Sequence, residues 1–524
     1  MTSLKVQPQS SCDEESSLLL PLRPNNSHQH SLVHKAHSPR IIILLLTTIV
    51  FIIGFGGYLA WIPSMRIYED ILCHRYYEEL QGRGGVGLRS GIDEASCKGD
   101  EVQKELNILT AVLETLKSLP GMLMAVPYGL LADKIGRKPV FALTILGTLL
   151  SLLFEVLIMS EYMMLPIRVV WLAPFVQFIG GGEKAASAIF YAIISDVTTQ
   201  NERANAFLFG SCASLCAELI APTVAAAIMV HSSWICISCG VAVSTLGLLC
   251  LLAFIPETLH FHASQTSTLV PDTSTSRYPS DSSSDFSEEL KPTLSRHLSD
   301  FYTASRPLLT LPVLLLLLPS ITTVIGQQSI DLCIRYISTR FSIPLSHASL
   351  ILSLRALINI LLLLILIPTF SSLLIKTFHF SSTHKDLLLA RISSLFLICG
   401  ALTIAISPSL HLTTIALVIY TLGTGFVSLV RSLITSLVDE QHVARIFAMI
   451  AVVETSSALV AGPAVAGLYE LGLMWRSEWT GWLGLPFVGL AVVCGVGGAG
   501  VWCVSGLGSV GKEGLVDEEF DERG

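Results

Sequence analysis

The chain has 524 residues, of which 52% are hydrophobic and only 14% charged, with a formal net charge of −8 and a mean hydropathy of +0.65. A soluble globular chain carries about 25% charged residues, so the composition excludes a soluble enzyme and a disordered protein. The acidic balance leaves no basic footprint for a nucleic-acid backbone. Twelve spans of about 20 residues would use roughly 240 positions, which predicts an all-α polytopic membrane protein.

Residues 1–39 are polar and rich in Ser and His, and read as a disordered cytoplasmic tail. No cleavable signal peptide is visible, because the first apolar run starts too late and no small-residue cleavage site follows it. Glu14-Glu15-Ser16-Ser17-Leu18-Leu19 has the form of an acidic dileucine sorting signal. Six apolar runs follow within 40–255, near 41–62, 107–132, 139–160, 167–194, 204–229 and 233–255. Residues 256–308 are rich in Ser, Thr, Pro and acids and cannot bury enough apolar surface to fold, so they are expected to be a cytoplasmic linker. Six more runs occupy 309–506, near 309–338, 346–368, 386–406, 411–436, 443–469 and 481–506, and an acidic tail closes the chain at 507–524.

Orientation follows the Lys and Arg of short loops. Lys134, Arg137 and Lys138 follow the second run, and Lys376 and Lys385 follow the eighth. The short loops around 160–166, 231–233 and 407–411 contain neither. Both termini and the linker are therefore expected in the cytoplasm, with segment 62–106 as an extracytoplasmic loop. That loop has six Lys or Arg residues, but nine acids accompany them. Facing outward, it is the one place where a disulfide, Cys73–Cys97, would persist. The other cysteines are mostly single within apolar runs, and Cys236-Ile-Ser-Cys239 reads as two buried thiols rather than a redox or metal pair. The sequon Asn25-Asn26-Ser27 lies in the cytoplasmic tail and should stay unmodified.

The two halves look related. Ser195-Asp196-Val197-Thr198 and the following Arg203 to Phe207 parallel Thr435-Ser436-Leu437-Val438 and Arg445-Ile446-Phe447 at an offset of about 240 residues. Ala221-Pro222-Thr223-Val224-Ala225 parallels Gly462-Pro463-Ala464-Val465-Ala466 at nearly the same offset.

The strongest local signal is Gly129-Leu-Leu-Ala-Asp133-Lys-Ile-Gly136-Arg137-Lys138, between the second and third runs. It resembles the signature that major facilitator superfamily transporters carry between their second and third helices. The resemblance spans essentially the whole chain and implies twelve transmembrane helices in two six-helix bundles. It also implies that Asp133 pairs with the loop Arg137 as a latch holding one conformation. The residue chemistry agrees: Gly129 permits close helix approach, Gly136 a tight turn, and an acid suits a helix N-terminus. Pro256-Glu257-Thr258, ending the sixth run, resembles a further landmark of sugar and drug transporters.

Ionisable residues inside spans are functional candidates, because each is costly unless paired or hydrated. Glu114 and Lys117 share a helix face, and so do Asp331 and Arg335. Glu183 follows Gly180-Gly181-Gly182, a stretch that invites bending. Glu218, Arg355, Arg431 and Glu454 have no partner on their own helices. Each charge has two readings, an interhelix tie or a role in transport, and for the set a polar cavity between the halves is the better one. Glu183 and Asp331 are the proton-coupling candidates. Arg335, Arg355, Arg431 and Glu454 are the substrate-cavity candidates.

The Cys73/Cys97 segment, Ile194-Ser-Asp-Val-Thr198 and Arg431-Ser-Leu-Ile-Thr-Ser436 resemble the proton-coupled folate and heme carrier branch and its fungal relatives. That resemblance implies a monomeric secondary transporter that meets the bilayer, protons and a small organic solute, and makes efflux of a secondary metabolite the expected task. A non-transporting sensor with the same fold and an uptake carrier for a folate-like anion are the alternatives. No phosphate-binding Gly-x-x-x-x-Gly-Lys-Ser/Thr loop is present, and no cofactor, metal site or enzymatic activity is expected. The plasma membrane is the expected location, with vacuolar or endosomal membranes as the alternative.

Overall fold

The computed structural model describes residues 39–81, 93–198, 203–258, 310–377, 379, 382–436, 443–475 and 480–504. The dileucine sequence, the sequon, nearly all of the linker and the acidic tail lie outside the described residues. The N-terminal half contains α1 (Pro39–Gln81), α2 (Asp100–Ile135), α3 (Arg137–Ser160), α4 (Gly182–Val197), α5 (Arg203–Met229) and α6 (Ser233–Phe254). The C-terminal half contains α7 (Leu311–Phe341), α8 (Leu345–Lys376), α9 (Ser382–Ile406), α10 (Leu410–Ser436), α11 (Val443–Met474) and α12 (Leu485–Cys503). Eleven of these spans are long and apolar enough to cross a membrane; α4 is the exception. Large apolar side chains such as Leu157, Leu249 and Val492 are exposed, as lipid-facing surfaces require.

The fourth span is broken for a physical reason. Its first part is a 3₁₀ turn (Ile167–Leu172), a single α turn (Ala173–Val176) and another 3₁₀ turn (Gln177–Ile179). Gly181 and Gly182 then take φ of +76° and +71°, open to glycine at little cost, and the helix begins. Irregular backbone at membrane depth is tolerated only when protein supplies its hydrogen bonds. Here Ser151 of α3 donates to the Ala173 carbonyl at 2.9 Å, and Tyr128 of α2 to the Phe178 carbonyl at 3.1 Å. Gly180 approaches α3 so closely that a Cβ would lie 2.6 Å from the Leu143 carbonyl oxygen.

Segment 62–106, expected as a loop, is helical at both ends. Residues 62–81 prolong α1, and α2 starts at Asp100. The Cys73–Cys97 disulfide forms, joining α1 to a 3₁₀ turn at Glu94–Lys98, and both cysteines are fully buried. Beside it Glu69 and Lys98 form a buried ion pair at 2.7 Å, and Gln103 also donates to Glu69 at 2.7 Å. Arg66 adds contacts to Glu69 at 3.2 Å and to Glu94 at 3.4 Å.

This disulfide end is where the halves meet, through α5 against α8 and α2 against α11. Thr339 of α7 donates to Gln103 at 3.0 Å, and Glu94 accepts from the backbone of Leu345 at the start of α8 at 2.8 Å. Asn107 donates to the Ala466 carbonyl at 2.9 Å, and Lys104 pairs with Glu470 at 3.3 Å. Nearer mid-depth Thr223 bonds Ser353 at 2.9 Å and Arg355 pairs with Glu218. These ties between the halves lie between the disulfide end and mid-depth.

Two outcomes follow. Gly180→Ala forces a Cβ into the α3 backbone and should cost about 1–3 kcal/mol, as overpacking does; a lower melting temperature of the purified protein reads it. Cys73 and Cys97 should resist thiol labelling until reduced. Removing their 24-residue closure should cost about 3 kcal/mol on the chain-entropy account.

Candidate functional site

Two polar assemblies stand out, one at the end opposite the disulfide and one between the halves. The first is built around Arg137, the first residue of α3. Its guanidinium pairs with Asp133 at 2.8 Å and with Asp196, near the end of α4, at 3.1 Å. The Asp196 side chain is 6% exposed and that of Asp133 56%, so Asp196 is the desolvated partner. Glu257 accepts from the backbone N–H of Arg137 at 2.8 Å and of Lys138 at 3.2 Å, satisfying donors that a helix start leaves open. One arginine thereby ties α2, α3 and α4, and one glutamate ties α3 to the chain after α6.

Asp133, Gly136, Arg137 and Lys138 lie together at this turn, and in two respects the geometry departs from the sequence expectation. The acid at the helix N-terminus is Glu257; Asp133 sits in the last turns of α2. Gly129 meets no atom within 4 Å of a built Cβ, so the close approach expected there is not made in this conformation. Gly136 does make the tight turn, with φ +116°, and a Cβ would lie 2.5 Å from Glu257 Oε2.

The second assembly is a cavity between α1, α2, α7 and α11. Trp61, Asn107, Glu114, Asp331, Arg335 and Gly462 line it. Asp331 and Arg335 are one turn apart on α7 and feel each other's charge. Neither takes part in a hydrogen bond or ion pair among the described residues, so the expected same-helix pair is not closed and both groups face the cavity. Glu114 pairs with Lys117 at 3.3 Å, as the spacing predicts, and Lys117 also reaches Glu155 of α3 at 3.4 Å. Glu183, in the first turn of α4, lies near enough for its charge to act on Lys117 and Asp331.

The other candidates divide. Arg355 is held by Glu218 across the halves, while Arg431 of α10 pairs with Glu454 of α11 inside the C-terminal half. Neither arginine lines the cavity with Arg335. Both keep a buried Nε without a hydrogen-bond partner among the described residues. Cys236 is a buried thiol, whereas Cys239 is only half-buried. No group of three or more potential metal ligands occurs among the described residues.

Glu155, Asp196 and Glu257 are the site residues that sequence reasoning did not assign. Glu155 had a signal, as the lone acid of an otherwise apolar run. Asp196 had only its place in the internal repeat and in the Ile194 to Thr198 stretch. Glu257 was visible in its triplet, but nothing local tied it to a loop about 120 residues earlier.

The profile of the Major Facilitator Superfamily matches residues 102–463. The chain is 29% identical over 467 residues to the MFS efflux pump atnC of Emericella nidulans, covering 87% of this chain and 86% of that one. It is 26% identical over 482 residues to the efflux pump ustT of Aspergillus flavus, covering 88% and 90%. Among solved structures it resembles a bacterial homologue of the human lysosomal transporter Spinster, with a TM-score of 0.57 at 13% identity, covering 89% of this chain and 97% of that one. It also resembles the human organic anion transporter MFSD10, with a TM-score of 0.54 at 15% identity, covering 88% and 99%.

The Arg137 assembly generates a graded outcome. Gly136→Ala meets both a positive φ and a close oxygen, and should destabilise the turn by about 1 kcal/mol or more. Arg137→Ala leaves Asp196 buried without its cation, and should lower transport more than Asp133→Asn, whose carboxylate is solvated. Transport rates normalised to the protein in the membrane would test the order Arg137→Ala below Asp133→Asn below wild type.

Proposed function

The chain belongs to the major facilitator superfamily and is a multi-pass membrane transporter, and on that premise we propose that it exports a small organic solute by proton-driven alternating access. The cavity between the halves carries this reading. It holds an acid and a base, Asp331 and Arg335, that no hydrogen bond or ion pair engages among the described residues. In a low-dielectric interior such groups are retained for a ligand or an ion. The relatives named as efflux pumps support the outward direction, and their fungal origin supports a secondary metabolite as cargo. Kinship with the proton-coupled folate and heme carrier branch belongs to the same reading.

With the Arg137 end in the cytoplasm, this conformation is closed outside and accepts solute from within. Solute enters between the halves and meets Arg335, whose planar fork of donors suits a carboxylate or carbonyl. Closure would draw the Arg137 ends of the bundles together, while the ties of Glu94, Gln103, Asn107 and Lys104 to the other half open. Glu183 and Asp331 exchange a proton for the solute contact as their access to water changes. Arg431–Glu454 and Arg355–Glu218 hold helices in place during the rocking. The protein works as a monomer in the plasma membrane.

Sealed vesicles with an imposed pH gradient test the proposal, using a panel of small organic acids, amines and zwitterions. Wild type should accumulate at least one of them only when the gradient is present. Glu183→Gln or Asp331→Asn should abolish that accumulation while keeping solute exchange without a gradient. Gradient-driven accumulation at the wild-type rate in both variants would remove these acids from the mechanism.

A further inference from the structure

Asp331 and Arg335 stand one turn apart on α7, a spacing at which opposite charges ordinarily close on each other. Here they stay open, and both border the cavity. The Gln103–Thr339 hydrogen bond sets α2 and α7 at a common depth near the disulfide end. Counting inward from it, Asn107 and Arg335 lie one turn farther in, and Glu114 and Gln328 a further two turns. Asp331 lies between, about 6 Å along the axis from Arg335 at roughly 1.5 Å per residue. The cavity is therefore polarised along its length, with its cation toward the disulfide end and its acids toward the Arg137 end.

Asn107 adds an independent sign of a ligand. Its Nδ2 donates to the Ala466 carbonyl at 2.9 Å, which fixes the orientation of the amide, since a carbonyl oxygen only accepts. Its Oδ1 is left buried with no hydrogen-bond partner among the described residues. Such an atom costs free energy until a donor reaches it. Trp61 of α1, set edge-to-face on Tyr58 at 6.5 Å, gives the same cavity an aromatic wall.

The other charges around the cavity are already engaged or lie to one side. Glu114 and Glu155 share Lys117, at 3.3 and 3.4 Å. Lys184 of α4 packs its stem against Gly121 of α2, next to Glu183 in the chain. Glu69, toward the disulfide end, is held by Lys98 and Gln103. The charges of Tyr469, Glu114, Asp331 and Glu69 act on Arg335 through space, and those of Glu114, Glu183, Arg335 and Lys117 on Asp331. The acids Glu114, Glu155, Glu183 and Asp331 outnumber the cations Lys117, Lys184 and Arg335. A simple anion would add to that excess and draw Arg335 away from Asp331, leaving a buried charge uncompensated. A simple cation would leave the Arg335 guanidinium without an acceptor. A solute carrying both charges satisfies both groups.

We propose that the cargo is amphoteric, with an amine and an acid held about one helical turn apart by a flat apolar body, its acid on Arg335 toward the disulfide end and its amine on Asp331 toward the Arg137 end. The inference rests on the export reading and names its substrate class. The flat body lies against Trp61, and Asn107 Oδ1 accepts from a hydroxyl or N–H close to the acid. Amino acids with both charges on one carbon bind poorly, because they do not reach from one subsite to the other.

Two isomers of one formula read the charge separation. 4-(Aminomethyl)benzoate places amine and acid at opposite ends of a ring, and phenylglycine places both on one carbon. Equilibrium dialysis against the full chain in lipid nanodiscs, with empty nanodiscs as the blank, compares them. The first should bind at least roughly tenfold more tightly than phenylglycine, 4-methylbenzoate or 4-methylbenzylamine, the effect of one charge-assisted hydrogen bond. Arg335→Gln should remove its advantage over 4-methylbenzylamine, and Asp331→Asn its advantage over 4-methylbenzoate. Equal binding of the isomers, no binding of 4-(aminomethyl)benzoate, or a reversed variant pattern overturns the cargo class. The isomer comparison uses wild type alone and stands even where a variant does not fold. The vesicle measurement keeps the two readings apart. If 4-(aminomethyl)benzoate binds in the expected pattern but no solute accumulates with the gradient, proton-driven export falls and the site assignment stands. If a singly charged solute accumulates while 4-(aminomethyl)benzoate neither binds nor accumulates, the cargo class falls and export stands.

Discussion

An ionised side chain at the bilayer centre costs about 3 kcal/mol or more unless it is paired or hydrated, and that constraint organises the polar interior of this transporter. Charges with a structural task are closed into pairs: Lys98 with Glu69, Arg355 with Glu218, Arg137 with Asp196. Those left open border the cavity between the halves. Asp331 and Arg335 border the cavity without a hydrogen bond or ion pair among the described residues, and Lys117 is divided between two acids. Which charges are closed into pairs and which are open depends on contacts between helices, and no single helix contains that information.

The two ends of the molecule apply the same chemistry to different purposes. At one end Arg137 and Glu257 bind elements of one half to each other. At the other, Glu94 and Gln103 reach across to the opposite half, through single hydrogen bonds to Leu345 and Thr339. Each such bond contributes about 1 kcal/mol net, which suits contacts that would break under the alternating access proposed above. The disulfide sits behind them and keeps the 3₁₀ turn that bears Glu94 fixed on α1.

Hydropathy made the spans legible, because twenty apolar residues in a row have few other fates. The Gly136-Arg137 turn was legible too, since a positive φ before a helix demands glycine. The extension of α1 through residue 81 was not, because the charges of 62–81 look like loop until Glu69, Asp70 and Arg66 are seen to neutralise neighbours from the 3₁₀ turn and from each other. The pairing of Arg355 with Glu218 was equally hidden: the two are far apart in sequence and meet only because α5 and α8 pack together. Glu155 was visible as a lone acid, but its importance depends on Lys117 and Tyr68 arriving from two other helices.

The broken fourth span bears on how the chain enters the membrane. The stretch Ile167–Ile179 is made of short 3₁₀ and single α turns, not one continuous helix, so the fourth span does not enter lipid as a finished helix. It needs Ser151 and Tyr128 already in place to receive the Ala173 and Phe178 carbonyls. Stable insertion of the fourth span would therefore depend on the second and third helices lying beside it. Biogenesis of the N-terminal half is in this respect an assembly of three helices delivered together.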